Sequence, residues 1–139
     1  PRALQSGELA DVVVYGFSRQ ELALLDEAAR STGITIRATQ DRQSLLETLA
    51  CLDTSAVLAR AGGSAEDEFA LLSELCRLYP MMQRAIALPA DMRHKAAHFT
   101  NRFAVTHFID LPFSEAEVVE WMTSLDQHTR RFSAVSVGL

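Results

Sequence analysis

The chain has 139 residues, 48% hydrophobic and 22% charged, with a formal net charge of −5. That length suits one compact domain with a real core and is cramped for two. The acidic balance, with no Lys or Arg cluster on any predicted helix, argues against direct nucleic-acid binding. No apolar stretch approaches the roughly 20 residues that span a bilayer, and the start lacks a signal-peptide pattern, so a soluble, cytoplasmic protein with no membrane contact is expected.

Val12-Val13-Val14-Tyr15, ending at Gly16, is a β-branched run of the kind buried on both faces of a sheet, and it predicts the first strand. Ser18 precedes Glu21 by three residues, a capping-box spacing. Leu22, Leu25 and Ala29 then form a helical stripe that stops at Gly33. Ile34-Thr35-Ile36-Arg37-Ala38 predicts a second strand, less apolar and so nearer a sheet edge. Asp41 caps a helix carrying Leu45, Leu49 and Leu52. Ala56 to Ala59 predicts strand three, after which Gly62 and Gly63 break the chain. Ser64 opens a helix with Phe69, Leu72, Leu75 and Tyr79 on one face, ended by Pro80.

Ala85-Ile86-Ala87-Leu88 predicts strand four, halted by Pro89, and Asp91 opens a helix with Met92, Ala96, Phe99 and Phe103 inward. Thr106-His107-Phe108-Ile109 predicts strand five. Ser114, three residues before Glu117, opens a last helix with Val118, Trp121, Met122 and Leu125. Strands alternating with helices imply a mainly parallel sheet covered on both faces, a doubly wound α/β fold. Cys51 and Cys76 fall inside apolar helical patterns and are expected to be small core residues in a reducing compartment. The start at Pro1 and the aperiodic tail from Ser133 to Leu139 carry the expectation that this is a segment of something longer.

Two segments carry a resemblance. Phe69 to Pro80 is similar to the third helix and following loop of response-regulator receiver domains. His107-Phe108-Ile109-Asp110-Leu111-Pro112-Phe113 is similar to their fifth strand and Lys-Pro-Phe turn, with Leu111 in place of the lysine. The resemblance covers residues 11–126, leaving 1–10 as an extension and 127–139 as the end of the last helix and a tail toward an output domain. It implies a flavodoxin-like sheet of order 2-1-3-4-5, with the functional crevice beyond the carboxyl ends of strands one and three, where the winding reverses. It also suggests a cis form for Pro112 and matches Phe108 to the family's switch aromatic.

At the family's functional positions the sequence departs throughout. Gly16 and Phe17 stand where the resemblance implies two magnesium-binding acids, and Arg60 stands where it implies the phosphate-accepting aspartate. Pro89 replaces a hydroxyl residue and Leu111 replaces the lysine. A hard cation needs oxygen ligands that Phe17 cannot supply and that Arg60 would repel, and a guanidinium cannot accept a phosphoryl group. Asp110 and the acids Glu66, Asp67 and Glu68 do not replace the missing set.

Arg60 has two readings: an anion receptor, or a partner of Asp91, Asp110 or the acids after Gly63. Pairing is favoured because half-buried arginines need a carboxylate. His94 and His98, with Asp91, have helical spacing for a metal but no second ligand cluster, so no metal is expected. His107 and His128 stand alone and take no catalytic role. The serines lack a His-Asp pattern, and the Gly16 turn lacks the glycines of a dinucleotide loop and the lysine of a P-loop. No enzymatic activity and no cofactor are therefore expected. The expectation is a degenerate, phosphorylation-independent receiver from a bacterial regulatory protein, acting through protein contact or dimerisation on an attached output domain. Phe99, Phe103, Trp121 and Met122 are the candidate interface residues, and Trp121 the leading anchor. The alternative is a small-ligand sensor in which Arg60 holds an anion and Phe17 stacks on an organic group.

Overall fold

The computed structural model describes residues 9–61, 66–92 and 105–125. Its five strands are β1 (Leu9–Tyr15), β2 (Ile36–Thr39), β3 (Asp53–Arg60), β4 (Gln83–Pro89) and β5 (His107–Leu111). They form one sheet in the order β2-β1-β3-β4-β5, with every pairing parallel. The helices are α1 (Arg19–Thr32), α2 (Arg42–Cys51), α3 (Glu66–Leu78) and a last helix over 115–125. A 3-10 turn at Ala90–Met92 stands where the helix after strand four is expected to start, and the other residues expected to form that helix lie outside the described residues.

The valine run shows why the sheet is central. Val12 and Val14 face one side and Val13 the other, and all are at most 1% exposed. Side chains alternate across a strand, so a continuous apolar run is stable only where both faces are covered. One face packs Val13, Val57 and Ile86 against Leu45 and Leu49 of α2 and Phe69, Leu72 and Leu75 of α3. The other packs Val12, Val14, Leu58 and Ile109 against Leu25 and Ala28 of α1 and Val118, Trp121 and Met122 of the last helix.

Local signals set the helix boundaries. Ser18 accepts from the Glu21 amide at 3.2 Å, and Glu21 Oε1 accepts from the Ser18 amide at 2.9 Å, a complete capping box. Gly33 ends α1 at φ 76°, a left-handed conformation that costs glycine nothing, and its N–H reaches Ala29 O. Asp41 caps α2 through the Ser44 amide at 2.8 Å. The expected cap at Ser64 lies outside the described residues.

Three expectations are corrected. Strand two begins at Ile36 rather than Ile34, because Ile34, 8% exposed, tucks under α1 before the ladder starts. Strand four begins at Gln83, so Arg84 lies within the sheet at 5% exposure, its guanidinium donating to Met82 O. The cysteines are not core residues: Cys51 closes α2 on its exposed side and Cys76 is half-buried, and neither is in a disulfide.

Candidate functional site

The crevice is built from strand ends in register. Tyr15 lies level with Thr39 on one side and Ala59 on the other, Arg60 is level with Ala87, and Pro89 with Leu111. This brings Gly16, Phe17, Arg60, Pro89 and Leu111, the five positions singled out in the sequence, to the carboxyl edge of the sheet.

Gly16 makes the turn out of β1 at φ 86°, and its amide donates to Thr39 O at 3.1 Å. A Cβ there would meet Arg60 O at 3.8 Å and Arg60 Cβ at 3.9 Å, ordinary contact, so the left-handed backbone rather than space is what calls for glycine. The turn aims Phe17 inward. Its ring is 2% exposed, lies 5.5 Å from the Phe113 ring and joins the core on the α1 side; its carbonyl accepts from Gln40 Nε2 at 3.0 Å. Leu111, 8% exposed, packs in the same cluster, ahead of a cis bond to Pro112 as expected. Phe17 is thus a core residue and presents no ring face for an organic ligand, which removes half of the sensor reading.

Arg60 is half-buried and paired, but not with any of the acids expected. Its Nε lies 2.9 and 3.0 Å from the two oxygens of Glu21, and its Nη1 donates to Ala61 O at 3.3 Å. The physical reason is topological. β1 and β3 are neighbours, so the first turn of α1, which leaves β1 through Gly16, opens directly beside the end of β3. Glu21, at N3 of α1, reaches the Ser18 amide and Arg60 from one carboxylate. Burial acts most strongly on that carboxyl and would raise its pKa. The Ser18 amide, the Arg60 hydrogen bond and charge, and the Ser18 hydroxyl together outweigh it and hold the group below its ordinary value. Glu21 is the site residue that sequence reasoning used only as a cap; its N3 position combined with the 2-1-3 strand order was the available signal.

The remaining candidates do not add chemistry here. Among the described residues no group of three or more His, Cys, Asp or Glu could hold a metal ion. His94, His98, Phe99, Phe103 and His128 lie outside the described residues. Trp121 and Met122, expected as interface residues, are 2% and 0% exposed and sit in the core, because the last helix turns its apolar stripe onto the sheet. His107, exposed at the start of β5 on the face it shares with Ile109, stacks on Trp121 with ring centroids 6.3 Å apart. Phe108 packs partly buried against the opposite core.

Comparison with solved structures agrees with this architecture. A signal receiver domain of an HD domain-containing protein from Pseudomonas fluorescens Pf-5 superposes with TM-score 0.73 at 16% identity, covering 94% of this chain and 98% of that one. The receiver domain of nitrogen regulatory protein C gives 0.71 at 21% identity, covering 87% and 97%. NtrX from Brucella abortus gives 0.73 at 20% identity, covering 91% of this chain but 29% of that longer one. No family model matches the sequence, and no curated protein does. The chain therefore has the receiver-domain fold, a five-stranded parallel flavodoxin-like sheet whose solved neighbours are receivers of response regulators.

Proposed function

We propose that this chain is a phosphorylation-independent receiver domain, spanning residues 11–126, that works in the cytoplasm of a bacterium by protein contact or dimerisation and thereby controls an attached output domain. The observation that carries the reading is the Arg60–Glu21 pair at the end of β3. A guanidinium stands where phosphoryl chemistry would need a nucleophilic aspartate; it can neither accept a phosphoryl group nor coordinate magnesium, and it engages the nearby Glu21 carboxylate. Phe17 and Leu111, buried in the core beside it, bring only apolar side chains to this edge. Without chemistry at the crevice, control has to come from association. The neighbours support an attached domain: one is the receiver of an HD domain-containing protein, and NtrX extends well beyond the aligned part.

Because Trp121 and Met122 lie in the core, a contact surface on the last helix would use its exposed residues Glu120, Thr123 and Ser124, with exposed His107 beside the helix. Sedimentation equilibrium over a wide concentration range tests the proposal. A reversible dimer that is unchanged by acetyl phosphate and magnesium supports it. A strict monomer at all concentrations counts against dimerisation, and a dimer that forms only with the phosphoryl donor counts against phosphorylation independence.

A further inference from the structure

The carboxyl edge of a doubly wound sheet is where such folds bind ligands, and Arg60 is a cation placed at that edge whose planar donors match oxyanions as well as carboxylates. Its side chain is 36% exposed and that of Glu21 19%, so water and small ions reach the pair. Three features hold the carboxylate in place: the Ser18 amide on Oε1, the Arg60 Nε shared by both oxygens, and the rigid first turn of α1. A ligand already fixed in position loses little freedom on pairing, which gives it an advantage over a free ion.

We propose that Glu21 is an internal ligand of Arg60, an autoinhibitory contact that keeps this guanidinium from binding oxyanions of the phosphate class. The pair closes the α1 side of the crevice as well as neutralising it, since Glu21 is tied to α1 and Arg60 to β3. The proposal deepens the reading of the crevice as chemically silent and rests on it for the location of the site, but not on self-association, so a failure in sedimentation leaves it standing and the reverse also holds.

The probe is inorganic phosphate, compared with sodium chloride at matched ionic strength, and the readout is thermal unfolding of the full chain. Three proteins are compared: the natural chain, Glu21→Gln, and Glu21→Gln combined with Arg60→Gln. Glutamine at N3 can still reach back to the Ser18 amide, so the cap survives while the charge goes. The natural chain is expected to respond alike to phosphate and chloride. Glu21→Gln is expected to gain a phosphate-specific rise of about 3–5 °C at saturating phosphate, and the double variant to lose it. A phosphate-specific response in the natural chain, or none in Glu21→Gln, overturns the proposal. Should the variants fail to fold, the Arg60 Nε–H resonance of the natural chain decides: unmoved by phosphate it supports the contact, displaced by phosphate it refutes it.

Discussion

Replacing Phe17 by alanine isolates the contribution of the residue that fills the crevice. The ring is 2% exposed and packs against Phe113 within the core on the α1 side. Losing about 150 Å² of buried aromatic surface at about 25 cal/mol per Å² gives ~4 kcal/mol, inside the roughly 3–5 kcal/mol typical of buried Phe→Ala changes. Phe17 sits at the edge of the core, next to a turn that can relax into the space, so the lower end, about 3 kcal/mol, is expected. For a chain of 139 residues that is a fall in Tm of roughly 10 °C. Urea unfolding followed by far-UV circular dichroism measures it, with Phe17→Leu as a control that keeps most of the volume and costs about 1 kcal/mol. A Phe17→Ala protein within about 0.5 kcal/mol of the natural chain, the range of ordinary surface changes, would refute the view that the ring is core, and would return Phe17 to the role of an exposed stacking platform.

Trp121→Ala should destabilise the fold by roughly 3–4 kcal/mol through cavity formation, seen as a lowered urea midpoint; a selective loss of self-association at unchanged stability would contradict its burial. Asp41→Ala removes the acceptor for the Ser44 amide and should cost about 1 kcal/mol in the same assay, against no change if the cap were redundant. Arg60→Gln should cost about 0.5–1 kcal/mol, discounted for its partial exposure, and the cost should depend on pH. The Glu21 carboxyl lies below its ordinary value in the folded state, so its stabilisation is complete above that ordinary value and is lost as the pH falls through the lower folded one. The difference between Arg60→Gln and the natural chain should therefore be full at neutral pH and vanish in acid; a difference that grows in acid would show the sign to be wrong.

The fold was legible because its signals are local and mutually consistent. Val12-Val13-Val14 can lie only in a doubly covered strand, Ser18 and Asp41 each sit where a helix needs an acceptor, and Gly33 where it needs a left-handed residue. What the pattern hid were properties set by tertiary neighbours. Arg84 looks like a charged flank, yet the ladder extends through it and a main-chain carbonyl receives its guanidinium. Cys51 shares an apolar stretch with Leu49 and Leu52, but the rotation of α2 leaves it outside. Trp121 could be read as surplus aromatic surface until the last helix is laid on β5 and α1, where the ring completes the core.

The site shows the same division. That Gly16, Phe17, Arg60, Pro89 and Leu111 converge follows from strand order, and the order was readable from alternating elements. The identity of the Arg60 partner was not, because Asp91, Asp110 and the acids after Gly63 all follow Arg60 in the chain, whereas the actual partner lies 39 residues earlier and was already accounted for as a helix cap. A carboxylate at N3 of the helix following the adjacent strand is a short reach in space however distant in sequence.

A two-dimensional amide NMR spectrum of the full chain, recorded with and without magnesium and beryllium fluoride as the phosphoryl analogue, tests the central claim most directly. A crevice closed by Arg60–Glu21 and Phe17 predicts superimposable spectra. Shifts spreading from Gly16 and Arg60 to β4, β5 and the last helix would show that the site still binds a phosphoryl group and switches, and would contradict the account.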